Sequence, residues 1–189
     1  YKDGKRYILP DKVDYSEDIL LSQNTPQTSG VMFRRDCIEC LGGFDESYIR
    51  HQDYELLLRF FERGFLMKKI DEILYVRERA DNSNLPTGET MEKIKNKFLH
   101  QFEGIVDRVD SQKNGFKKRV YVINYFSVMK CYIKDRNIVK AINIMTKCIR
   151  ISPSVFLCEV ANCLEASIAY SWRRFFNRLK KNRQEKLAM

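Results

Sequence analysis

Apolar residues recur at helical spacing along most of this chain and alternate with polar ones only in short stretches. The clearest helical pattern is Asp53 to Arg63, with Leu56, Leu57, Phe60 and Phe61 as its inward stripe and Gly64 as its stop. Two shorter helices precede it. Tyr15 to Ser22 carries Ile19, Leu20 and Leu21 behind a capping Asp14, and Arg34 to Leu41 turns Ile38 and Leu41 inward before Gly42-Gly43. Phe44 is expected to plug into the core after that turn. Arg6 to Leu9, Phe65 to Ile70 and Ile73 to Arg79 read as strands, the last two joined by a tight bend at Asp71-Glu72. Ser29 to Phe33 reads as a small buried strand or as an extended lead into the next helix. Strands alternating with helices predict an α/β or α+β arrangement over this part.

Ala80 to Thr90 clusters Asn, Asp, Ser, Pro and Gly, the composition of a site rim, a lid or a plain linker. Beyond it only helices are predicted. Met91 to Val109 carries Ile94, Phe98, Phe102 and Ile105 near helical spacing. Phe116 to Lys134 is apolar nearly all round, which places it at the centre of a bundle. Arg136 to Arg150 is amphipathic through Ala141, Ile142, Met145 and Ile149. Ser152-Pro153 is a strong start signal for a further helix running to about Tyr170. From Ser167 to Met189, Ile168, Trp172, Phe175, Phe176 and Leu179 fall on one side among Arg173, Arg174, Arg178, Lys180, Lys181 and Arg183. That combination suits a helix lying in an anionic membrane interface through residues 168–186. It also suits a docking helix with a solvated basic tail.

Charge sharpens this division. Residues 1–110 hold 17 Lys and Arg against 21 Asp and Glu, whereas residues 111–189 hold 17 against 4. A basic second part facing an anionic partner follows. With 44% hydrophobic residues the 189-residue chain can bury a core. No apolar run approaches the ~20 residues of a membrane-spanning helix, and no leader pattern follows Tyr1. A cytoplasmic protein is expected, peripheral at the inner face of the membrane if the basic end binds lipid. No named nucleic-acid motif is present, so no nucleic-acid partner is expected. Cys37 and Cys40 form a CxxC with no second pair at metal-binding spacing, and all six cysteines read as reduced thiols.

Chemistry concentrates at His51-Gln52-Asp53-Tyr54. A carboxylate at a helix start meets free backbone N–H groups and the positive end of the dipole. That setting explains a helix cap, and it equally keeps a general base ionised. The order Thr28-Ser29-Gly30-Val31-Met32-Phe33-Arg34-Arg35, Gly42-Gly43-Phe44-Asp45-Glu46, Gln52-Asp53-Tyr54-Glu55-Leu56-Leu57-Leu58-Arg59 and Gly64-Phe65 resembles the C-terminal half of a family-two, inverting glycosyltransferase of GT-A fold, of the bacterial surface-polysaccharide type. The likeness covers about Tyr7 to Asn82.

The resemblance implies a partial GT-A-like α/β fold over residues 1–88, with the nucleotide-binding half missing, and an all-α helical extension over 89–189. It implies Asp53 as the general base, Gln52 as an orienting residue, and Gly43, Asp45, His51 and Arg79 around the substrates. Arg59 would instead pair with a carboxylate inside the fold. A nucleotide-sugar donor and a glycan or lipid-linked acceptor are the implied partners. The implied cofactor is a divalent metal, Mg or Mn, whose ligands lie outside this chain. No DxD motif precedes Tyr1, so this polypeptide alone is expected to be inactive, as a fragment of a longer enzyme. The competing expectation is a non-catalytic helical module that binds a protein or an anionic membrane.

Overall fold

The protein, seen in a computed structural model, is described over residues 9–72 and 86–169. The regular elements among these are α1 (Ser16–Leu20), a 3-10 turn (Thr28–Gly30), α2 (Arg35–Leu41), α3 (Gln52–Glu62), α4 (Gly88–Gln101), α5 (Glu103–Gln112), α6 (Phe116–Lys134) and α7 (Ile138–Ile151). A further helix, α8, runs through 153–169.

The apolar all-round character of α6 puts it in the middle. It packs against α4, α5 and α7, and buries Phe116, Val120, Val122, Tyr125, Phe126 and Val128 among them. Asn124 is its one buried amide. Its Nδ2 donates to the Val120 carbonyl at 2.8 Å and to the Leu20 carbonyl at 3.0 Å. The second bond satisfies an open carbonyl at the end of α1 and ties the N-terminal helices to the bundle. On that side α3 packs on α1 and α2, with Leu57, Leu58, Phe60 and Phe61 in the same apolar core as Phe98, Val106 and Phe126.

The α/β expectation is overturned. Among the described residues there is no strand and no sheet. Phe65 to Ile70 forms no regular element, and its backbone bonds are Phe65 N–H to the Phe60 carbonyl at 3.2 Å and Met67 N–H to the Val13 carbonyl at 2.9 Å. Leu66 and Ile70 face solvent at 68% and 61% exposure. Alternating apolar residues favour a strand only where a neighbour supplies the ladder and the covering layer, and the described residues supply neither. Ser29 to Phe33 follows the extended alternative, leaving the 3-10 turn through Val31 to Arg34. The strands expected at 6–9 and 73–79 lie almost wholly or wholly outside the described residues, as does most of the 80–90 loop.

Smaller expectations shift too. Phe44 is 48% exposed and not a core plug. Its two predecessors hold left-handed backbones, Gly42 at φ 72° and Gly43 at φ 75°, so the chain turns sharply and carries Phe44 outward. The continuous helix expected from Met91 to Val109 is two, broken at Phe102 (φ −105°, ψ 17°) next to Gly104. The bend lets Phe98, Phe102, Ile105 and Val106 all point into the core, which a straight helix would spread over a wider arc. Asn137 caps α7 by accepting from Lys140 N–H at 3.2 Å. Ser152-Pro153 opens α8 where the sequence placed it.

Candidate functional site

The mouth of α3 is a small polar cluster. His51 occupies the N-cap position in a left-handed conformation, φ 65°, and Gln52 begins the helix. Asp53 therefore lies inside the first turn. Its Oδ1 accepts from Tyr54 N–H at 3.0 Å and its Oδ2 from the Thr28 hydroxyl at 3.0 Å. These bonds offset open donors at the helix start and pin the 3-10 turn to α3. The Tyr54 hydroxyl pairs with Thr25 Oγ1 at 3.2 Å, a second tie between the same segments. The Tyr54 ring lies flat against His51, with centroids 5.1 Å apart. Gln52 reaches back, its Nε2 donating to the Tyr48 carbonyl at 2.5 Å.

Behind this mouth sits a charged clamp in which Arg59 pairs with a carboxylate inside the fold, as expected of it from the sequence. Glu55 is 1% exposed. Arg59 meets it with two parallel bonds, Nε to Oε1 at 2.5 Å and Nη2 to Oε2 at 2.7 Å. The same guanidinium donates to the Leu41 and Gly43 carbonyls at 2.5 and 2.8 Å, closing the end of α2. From α4, Gln101 Nε2 donates to Glu55 Oε1 at 2.8 Å and accepts the Tyr48 hydroxyl on its own Oε1 at 2.7 Å. Lys97 sits over the Tyr48 ring at 3.9 Å and bonds Asp45 Oδ2 at 3.3 Å and the Ser47 hydroxyl. Hydrogen bonds from Ser47 hold the Asp45 carboxyl below its ordinary range. The clamp thus welds α2, α3 and α4 together. Its i, i+4 spacing was visible in the sequence, but its burial was not.

Gly43 and Asp45 are parts of that clamp and its rim, Asp53 and Gln52 anchor loops, and Arg79 lies outside the described residues. One residue that drew no notice in the sequence, Lys95 of α4, acts on His51 through its charge. Lys95 is 3% exposed, with its ammonium 5.6 Å from the Phe98 ring centre. Among the described residues no carboxylate pairs with it. Burial lowers its pKa to about 8, and only a slight contrary effect comes from the Cys131 thiol. Burial in turn raises the Cys131 pKa, so that thiol stays neutral and supplies no counter-charge. Burial, then the Lys95 and Arg50 charges, drives His51 down to about 3.

Both shifts disfavour the charged forms in the fold, so both make stability rise with pH. For His51 the stability is intact above about pH 6.5 and is lost as pH falls from there toward 3. For Lys95 stability is expected to grow between pH 8 and the ordinary lysine value of 10.5, by roughly 3 kcal/mol at 1.4 kcal/mol per unit, and to stay level below 8. Urea midpoints measured across pH 3 to 11 check both windows, and a flat profile in the alkaline window would contradict the burial of Lys95.

The other distinctive surface is at the C-terminal side. After Val160 every residue of α8 from Ala161 to Ala169 is exposed, so the helix leaves the bundle. Leu157, Leu164 and Ile168 line one stripe of it, and α7 adds Ile138, Ile142 and Ile149, all uncovered. A shallow groove on α7, lined by Asn143, Thr146, Lys147, Arg150 and Ile151, carries basic groups beside this surface. No helix among the described residues is long and apolar enough to cross a membrane. No cluster of three or more His, Cys, Asp or Glu among them could hold a metal ion. All six cysteines are unpaired.

With the described elements all helical, the fold defines a class, a helical bundle from which one terminal helix projects. Comparisons with protein-family models, with curated proteins and with solved structures find no match. The resemblance to the C-terminal half of a GT-A glycosyltransferase is overturned on both counts. The described residues carry no sheet, and no family match supports it. The repeated residue types that carried the likeness have local explanations. Gly42-Gly43 end a helix, Asp45 closes a turn on Ser47, and Asp53 offsets open donors at a helix start.

Proposed function

We propose that this chain is a non-catalytic helical interaction module that docks on an anionic membrane surface through its C-terminal end. The observation that carries the reading is the departure of α8 from the bundle, with Leu157, Leu164 and Ile168 uncovered. A soluble bundle gains nothing by exposing such a stripe unless something covers it. The chain that follows supports lipid as that cover. Residues 170–189 hold seven Lys and Arg against one Glu, interleaved with Trp172, Phe175, Phe176 and Leu179. Basic residues near an anionic leaflet add roughly 1 kcal/mol each, and aromatic rings settle at the headgroup level.

Flotation with phosphatidylserine-containing and with purely zwitterionic vesicles tests the proposal. The intact chain is expected to float with the anionic vesicles alone. Arg173→Gln, Arg174→Gln and Arg178→Gln together should weaken that partitioning by roughly 3 kcal/mol, on the order of a hundredfold. A chain ended after Tyr170 should partition still more weakly. Equal flotation of all three would sink the reading.

A further inference from the structure

We propose that the outer face of α7 is a second lipid-contacting surface, laid on the same anionic leaflet as the C-terminal end. The inference rests on the lipid reading of that end and extends it to the body of the bundle. Ala141, Ile144 and Cys148 turn one side of α7 toward α6 and leave the other to solvent. That other side is not polar. Ile138, Ile142 and Ile149 form a stripe at 55%, 49% and 41% exposure, with Val139 beside it at 72%. Arg150, Lys147 and Lys140 follow one flank of the stripe, all exposed. An apolar stripe flanked by basic groups is the profile of a helix that lies in a membrane interface.

Charge decides what covers this face. From Arg136 to Cys158 the chain holds four Lys and Arg and no Asp or Glu. No ion pair among the described residues uses Lys140, Lys147 or Arg150. Lys147 and Lys140 lie instead over the Tyr125 and Tyr132 rings, 3.8 and 5.5 Å from their centres. A ring holds a lysine in place without cancelling its charge. The positive face therefore repels two occupants that could otherwise cover it. Residues 170–189 of the chain carry seven Lys and Arg against one Glu. A second copy set face to face would bring these same cations together. An anionic leaflet supplies both missing partners, phosphate oxygens for the cations and acyl chain for the isoleucines. The shallow groove lined by Asn143, Lys147 and Arg150 is where a lipid phosphate would be held. Ser152 alone separates α7 from α8, so a leaflet that receives α8 begins at the end of α7.

Binding of the full chain to phosphatidylserine-containing vesicles, read with a reporter on α7, tests this. Trp172 is the one tryptophan, so Trp172→Phe with Val139→Trp puts the indole fluorescence on α7 alone. Vesicles should shift that emission to the blue, and brominated acyl chains should quench it. In the otherwise native chain, Ile142→Asp should weaken partitioning about tenfold. Lys147→Gln with Arg150→Gln should weaken it about thirtyfold. Both variants alter exposed side chains, so their urea midpoints should stay near wild type. If the native chain does not float with anionic vesicles, the C-terminal reading and this one fall together. If it floats while the reporter emits as in water, or while either variant partitions like the native chain, this inference alone is overturned.

Discussion

Replacing Arg59 by alanine is expected to destabilise the protein by about 3–5 kcal/mol, the range for breaking a buried ion pair from one side. The substitution strands Glu55, which is 1% exposed, with Gln101 as its remaining recorded side-chain donor. It also releases the Leu41 and Gly43 carbonyls that the guanidinium bonds at 2.5 and 2.8 Å. The loss should appear as a lower urea midpoint with an unchanged slope. A second variant separates the pair from its desolvation. Arg59→Met combined with Glu55→Leu removes the buried charge with its partner and should recover a large part of the loss. If the double variant is as unstable as Arg59→Ala, the trapped carboxylate is not the source of the effect.

Gly88→Ala should also destabilise, by about 1–3 kcal/mol, although glycine to alanine in a helix ordinarily helps by up to about 1 kcal/mol. The reversal comes from the Tyr132 ring. A Cβ on Gly88 would lie 2.2 Å from Tyr132 Cδ1 and 2.5 Å from its Cγ. The ring cannot swing aside freely, because it is buried in the core and its hydroxyl donates to Glu92 Oε2 at 2.5 Å. Nor can the backbone retreat without loss, since Gly88 N–H is bonded to Asp135 Oδ2 at 2.6 Å. Gly88→Ala with Tyr132→Ala should be closer to additive relief than to additive damage in a double-mutant cycle. A stability equal to wild type in the single variant would contradict the close approach of α4 and α6.

These two sites mark where local pattern stops being informative. Glu55 and Arg59 stand four apart on a helix, and that spacing is readable in any sequence. On an exposed face such a pair contributes only a few tenths of a kcal/mol. Its weight here comes from Gln101, forty-six residues later, and from the end of α2, which Arg59 covers. Lys95 was less legible still. It falls between Ile94 and Phe98 on a helix with basic residues at 93 and 97, and looks like one more solvated lysine. Only the packing of α4 in the bundle, chiefly against α6, withdraws most of it from water.

The sequence by itself determined the helices whose signals are local. The apolar stripe of α3, the stop at Gly64, the central position of α6, the Ser152-Pro153 start of α8 and the basic C-terminal composition all rest on residues within a few turns of one another. Only the tertiary structure decided what the short apolar alternations become. A strand needs a partner brought from elsewhere in the chain, and among the described residues Phe65 to Ile70 has none and forms no regular element. The same holds for chemistry at the mouth of α3. The residue types there permit a cap, an anchor or a base. The Thr28 hydroxyl on Asp53 and the Tyr54 hydroxyl on Thr25 are long-range facts, set by how the segments pack and not by spacing along the chain.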